Sequence, residues 1–199
     1  MTRMNSITVP LERIRKMPGS FIASIGSPGA GKTTFFDQLD LPDHLRLEKD
    51  RFREAMFGTR RAYWDRPEAE KHKMVKVSMK AAMLAWPHHK VCLTDTGTEE
   101  EAILYFARAA NMRFRNWWDG RLHTSKPCKG IPILLILFEQ PLEVLIERNR
   151  TRPEEHRIDE TLLTEKYDLI YGKEAWWRAI ERRDPRESRT LLLRPEQLV

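Results

Sequence analysis

The sequence predicts an α/β fold, a parallel sheet covered by helices on both faces, and three observations carry that prediction. Short apolar runs alternate with segments whose apolar residues recur every three or four positions. The first run, Phe21–Ile25, opens directly into the glycine-rich turn Gly26-Ser27-Pro28-Gly29-Ala30-Gly31-Lys32-Thr33. With 199 residues, one domain spanning 1–199 can bury its own core without disulfide staples.

The elements follow in order. Strand Phe21–Ile25 enters the glycine turn, and Phe35, Phe36 and Leu39 mark a helix over Thr33–Leu39. Asp40-Leu-Pro-Asp43 makes a turn into a short strand, Leu45–Leu47, followed by a helix over Asp50–Phe57. Pro67 suits the first turn of a long helix, Glu68–Ala85. Strand Lys90–Thr94 precedes a helix over Glu99–Asn111, which Thr98 and Glu101 can open as a capping box. Residues 111–130 break the pattern as a long insertion, and long connections in compact domains are usually functional. The apolar run Ile131–Phe138 reads as the fourth strand. Helix Leu142–Arg150 is stopped by Pro153, and Glu160–Tyr171 shows helical spacing again. An extension over 172–199 holds Trp176 and Trp177, read as core packing or a subunit contact ahead of base stacking, and a last strand, Thr190–Leu193.

Composition bounds the class. Lys and Arg number 35 against 29 for Asp and Glu, a formal charge of +6 that favours polyanionic partners. Two cysteines, Cys92 and Cys128, fit a reducing compartment better than a disulfide framework. The N-terminal residues lack the apolar core of a signal peptide, and Ile131–Phe138 is too short to span a bilayer. The expectation is a cytoplasmic protein without a membrane partner; a homo-oligomer is compatible with it. His88 and His89 have no cysteine or carboxylate at ligand spacing and read as surface residues.

The glycine turn matches G-x-x-x-x-G-K-[ST], the Walker A pattern, which arises by chance in a chain this long on the order of once in a hundred times or less. Backbone amides from Gly26 to Thr34 can converge on phosphate oxygens, Lys32 can reach the β- and γ-phosphates, and Thr33 can ligate magnesium. ATP and Mg2+ are therefore the expected cofactors.

In open α/β sheets ligands sit beyond the carboxyl ends of the strands, so the residues following each strand matter most. After the second strand, Asp50 and Arg53 stand one helical turn apart. The carboxylate can take a proton from an attacking hydroxyl, and the guanidinium can hold the acceptor or the transferring group. The plainer alternative is an N-capping aspartate with a solvated arginine. After the third strand, Asp95 occupies a Walker B position, able to touch magnesium or orient Asp50, with Thr96 beside it. Beyond the fourth, Arg148-Asn149-Arg150-Thr151-Arg152-Pro153 can present arginines as a lid, although pairing with the helix C-terminus would explain Arg148 or Arg150.

Taken together, S-I-G-S-P-G-A-G-K-T-T, E-K-D-R-F-R, L-T-D-T and E-R-N-R-T-R-P, spread from Phe21 to Tyr171, resemble the bacteriophage polynucleotide 5′-hydroxyl kinase family of P-loop phosphotransferases. The resemblance implies a P-loop kinase-type sheet with an arginine lid. It implies that Lys32 and Thr33 hold ATP and magnesium, that Asp50 is the general base, and that Arg53 clamps acceptor phosphate. Asp95 and Thr96 would line the acceptor channel. Arg148 and Arg152 would form the lid, Arg152 nearest the transferring phosphate. Glu48 and Lys49 replace the polar-then-arginine pair common before the base, Gly97 stands where asparagine often follows D-T, and residues 111–130 are additional.

The expected activity is transfer of the γ-phosphate of ATP to a nucleic-acid hydroxyl, foremost the 5′ end of DNA or RNA. Arg113, Arg115, Phe114, Trp117 and Trp118 of the insertion interleave charge and aromatic rings, so Arg113 and Trp118 are candidates for gripping and stacking an acceptor; a buried hairpin that covers the sheet edge is the competing reading. A hydroxymethylated DNA base, extruded for phosphorylation, is the neighbouring alternative. A small-molecule acceptor such as a sugar or nucleotide sugar, or a non-catalytic nucleotide switch, completes the range.

Overall fold

The computed structural model describes residues 11–16, 20–58, 67–86, 90–94, 102–107, 109, 133–182 and 190–198. Five strands form one sheet: β1 (Phe21–Ile25), β2 (His44–Leu47), β3 (Lys90–Leu93), β4 (Ile133–Leu137) and β5 (Thr190–Leu193). Their order is β2-β3-β1-β4-β5, and every pairing is parallel. The helices are α1 (Leu11–Lys16), α2 (Lys32–Gln38), α3 (Lys49–Phe57), α4 (Glu68–Ala85), α5 (Leu142–Arg150), α6 (Glu160–Tyr171) and α7 (Arg178–Glu181), with helical backbone also at 102–107.

Strands buried on both faces must be apolar on both, which is why they stand out as continuous runs. Phe21, Ala23 and Ile25 of β1 point into one cluster with Met79, Phe106 and Trp177. Ile22 points into the other, with Ile14, Phe36, Leu145 and Leu193. Helices therefore cover both faces. Phe21 and Ile22 are fully buried, each contributing about 1.5–3 kcal/mol by burial. Trp177 is also buried, its indole N–H donating to Ile170 O at 2.6 Å, so it serves the core.

Element limits differ from the sequence expectation by a residue or two. β2 gains His44, β3 ends at Leu93, α2 and α3 each begin one residue earlier, and Pro67 caps α4 from outside its first turn. Among the described residues no helix is long and apolar enough to cross a membrane.

β1 lies centrally, with β3 on one side and β4 on the other. The chain reverses its direction of strand addition there, opening a crevice at the carboxyl end of β1. The glycine turn emerges at that point.

Candidate functional site

The loop is held where β1 and β4 end together. The Phe138 amide donates to Ile25 O at 2.8 Å, and a Cβ on Gly26 would stand 3.0 Å from both Phe138 Cβ and Phe138 O. Glycine is required there by close approach. At Gly31 it is required by backbone conformation, because φ is +92° immediately before α2 begins. Between them the Ala30 amide donates to Ser27 O at 3.1 Å, curling Pro28 and Gly29 outward. Lys32 folds back over this curl, its Nζ donating to Gly26 O at 2.7 Å and Ser27 O at 2.9 Å. Thr33 and Thr34 are exposed on the first turn of α2.

The arginines after β4 separate into two groups. Arg148 Nη1 donates to Gly29 O at 2.9 Å, and Arg152 Nη2 lies 3.5 Å from the position a Gly29 Cβ would take. Arg150 turns the other way and makes a two-pronged bond with Glu160, at 2.7 and 3.0 Å. Buried Asn149 fixes the intervening turn by donating to Ile158 O at 2.6 Å and accepting from the Ile158 amide at 3.0 Å. Lys32, Arg148 and Arg152 thus surround one short stretch of loop.

At the carboxyl end of β2 the N-cap residue is Glu48, not Asp50. Glu48 is nearly buried and pairs with Arg46 at 2.5 Å and Arg51 at 2.7 Å. Asp50 lies in the first turn of α3, where its Oδ1 accepts from Arg53 Nη1 at 2.6 Å. The Arg53 side chain is only 17% exposed, so the alternative of a capping aspartate beside a solvated arginine is set aside.

Thr94 marks the edge of what is described after β3. Its amide donates to Leu47 O at 3.1 Å and its carbonyl accepts from Ser24 Oγ at 2.8 Å. Asp95 and Thr96 lie outside the described residues, as do Arg113, Trp118, the rest of 111–130, His88, His89 and Cys128. Among the described residues no group of three His, Cys, Asp or Glu side chains could hold a metal.

Two residues on α6 join the site without a sequence signal of their own type. The Tyr171 hydroxyl accepts from the Ser27 amide at 3.1 Å and donates to Phe138 O; burial pushes its pKa up to about 12. Lys166 lies within electrostatic reach of Arg53 and Asp50. A tyrosine and a lysine on an amphipathic helix are commonplace, and only the helix's placement gives them meaning.

A profile described as AAA domain matches residues 21–169, from β1 almost to the end of α6. No curated protein matches the sequence significantly. Among solved structures, shikimate kinase from Acinetobacter baumannii in complex with shikimate is similar at 17% identity and a TM-score of 0.47, over 86% of this chain and 84% of that one. Deoxyadenosine kinase from M. mycoides is similar at 13% identity and a TM-score of 0.46, over 88% and 90%. A chain of the Pnkp1/Rnl/Hen1 complex is similar at 18% identity and a TM-score of 0.45, over 79% of this chain but 43% of that one. The matched range takes in the glycine loop, the Asp50–Arg53 pair and both loop-facing arginines, and on that match the chain belongs to the AAA domain family.

Proposed function

We propose that the protein is an ATP-dependent phosphotransferase that moves the γ-phosphate to a hydroxyl of nucleic acid, foremost a 5′-hydroxyl end. The observation that carries this reading is the division of charge at the carboxyl edge of the sheet. Lys32, Arg148 and Arg152 gather on the glycine loop, while the Asp50 carboxylate, bonded to Arg53, stands just past the end of β2. The first group suits a polyphosphate and the second suits a hydroxyl that must lose a proton. The ordered motifs and the formal charge of +6 support a polyanionic acceptor.

In this mechanism Asp50 accepts the hydroxyl proton, and Arg53 keeps the carboxylate oriented. The oxygen attacks the γ-phosphorus in line. Lys32 and Arg152 face the charge that accumulates on the transferring group, and Arg148 holds the loop beneath it. The exposed Thr33 hydroxyl on the first turn of α2 is a hard oxygen donor of the kind magnesium takes alongside substrate phosphates, so the residues fit that ion. Asp95 is proposed as its second protein contact. Magnesium, when bound, would offset negative charge on the phosphates.

The test is transfer from γ-labelled ATP to 5′-hydroxyl DNA, 5′-hydroxyl RNA, hydroxymethylated duplex DNA and small metabolites. Label on 5′ ends is expected. Label confined to the modified base or to a metabolite replaces the acceptor, and label nowhere refutes phosphotransfer. Asp50→Asn should lower turnover roughly a hundred- to ten-thousandfold with ATP affinity preserved; collapse of ATP binding would make Asp50 a structural residue or metal ligand.

A further inference from the structure

The peptide group joining Gly26 to Ser27 is engaged at both ends. Its carbonyl, Gly26 O, accepts from Lys32 Nζ at 2.7 Å, and its N–H, on Ser27, donates to the Tyr171 hydroxyl at 3.1 Å. A trans peptide is planar with the two groups pointing opposite ways, so turning one end turns the other. The tyrosine hydroxyl thus sets the direction of a carbonyl that holds the lysine. Ser27 is fully buried, which leaves its amide no water to turn to if that hydroxyl is removed.

Tyr171 is itself held from several sides. Its hydroxyl donates to Phe138 O just past β4, and its ring stands 4.8 Å from that of Tyr167. The carbonyls that end α6 are satisfied by one guanidinium: Arg178 Nη2 donates to Tyr171 O at 2.9 Å and Nε to Gly172 O at 3.0 Å. A Cβ on Gly172 would collide with Asp168 O, so the chain can leave the helix this way only at a glycine. These contacts fix the hydroxyl in place.

Resting on the reading of the glycine loop as the ATP site, we propose that Tyr171 is a positioning residue of that site, its hydroxyl orienting the Gly26–Ser27 peptide and through it Lys32. The single hydrogen of the Ser27 amide then serves the shape of the loop, not the phosphates. Lys32 meets the β- and γ-phosphates from a place that α6 determines.

The experiment titrates a non-hydrolysable ATP analogue with Mg2+ into wild-type protein, Tyr171→Phe, Lys32→Ala and the double variant. Tyr171→Phe should weaken binding about tenfold, the scale of one buried donor left without its acceptor. The melting temperature should stay within a few degrees, because the ring and its packing remain, and the acceptor KM should stay within twofold. In the Lys32→Ala background the same change should cost less than twofold, since the residue through which the hydroxyl acts is gone. Unchanged affinity in Tyr171→Phe would overturn the proposal. So would equal losses in both backgrounds, the mark of a hydroxyl that supports the fold alone. Wild-type protein that binds the analogue yet labels no acceptor refutes phosphotransfer and leaves the four affinities to decide the role of Tyr171; wild-type protein that binds no nucleotide overturns both.

Discussion

The two ends of the sheet hold similar polar side chains and use them in opposite ways. At the amino end polar groups of the described residues meet local partners. Ser20 Oγ and His44 Nε2 share a buried hydrogen bond of 2.9 Å. Lys90 stands 3.5 Å from the Asp43 carboxylate, and Arg15 pairs with the Asp40 carboxylate at 3.3 Å. At the carboxyl end Lys32 and Arg148 lie on backbone carbonyls of one loop, and Arg152 stands beside them. Cations set against surface carboxylates brace the scaffold, whereas cations gathered around one glycine loop can meet a ligand that brings its own anions.

That contrast can be broken most severely at Lys32. Lys32→Ala should lower phosphoryl transfer about a hundredfold or more while leaving the melting temperature within a few degrees, because the ammonium contacts loop carbonyls and adds nothing to either core cluster. Steady-state transfer and thermal denaturation together read both halves of the claim; near-normal turnover would defeat it.

Arg152→Ala tests whether the lid cations differ among themselves. Loss of one preorganised donor typically costs a hundred- to a thousandfold in turnover. Arg150→Ala should cost far less, since its guanidinium is committed to Glu160. Equal losses in the two variants would mean that the turn acts through its fold and not through its charges.

The smallest effect belongs to the amino end and concerns stability alone. Burial, followed by the Lys90 charge, lowers the His44 pKa from 6.5 to about 4. The unfolded chain then binds a proton more readily than the folded one, so the histidine's contribution is complete above pH 6.5 and is lost as pH falls towards 4. A loss of roughly 2 kcal/mol is expected after allowance for solvent screening. Denaturant titrations between these limits measure it. His44→Gln should flatten that segment of the profile, and an unchanged slope would remove His44 from the account.

Much of the architecture was legible because parallel strands buried on both faces appear as unbroken apolar runs, as in Phe21–Ile25 and Ile133–Leu137. Lys32, Asp50 and Arg148 were legible by position, since each follows closely on a strand or ends the next helix. Tyr171 was not, because its contacts with Ser27 and Phe138 come from the course of α6, which no local pattern encodes. Glu48 carried no sequence signal either: its pairing with Arg46 and Arg51 depends on a strand residue two positions back and a helix residue three positions on, brought together by the turn into α3. Arg150 and Arg152 have the same side chain two residues apart, and only the partners available on α6 and the loop tell them apart.

The Tyr171 hydroxyl makes the loop and α6 a single thermodynamic unit. Any polyphosphate that orders the Ser27 amide region also favours the tyrosine in its bonded position, and through it the last turn of α6 and the Arg178 side chain, which holds Tyr171 O at 2.9 Å. Binding free energy spent at the loop is thereby shared with backbone amides far along the sequence. On adding a non-hydrolysable ATP analogue, hydrogen exchange should slow at the carboxyl-terminal turn of α6 in step with the glycine loop, and Tyr171→Phe should uncouple the two.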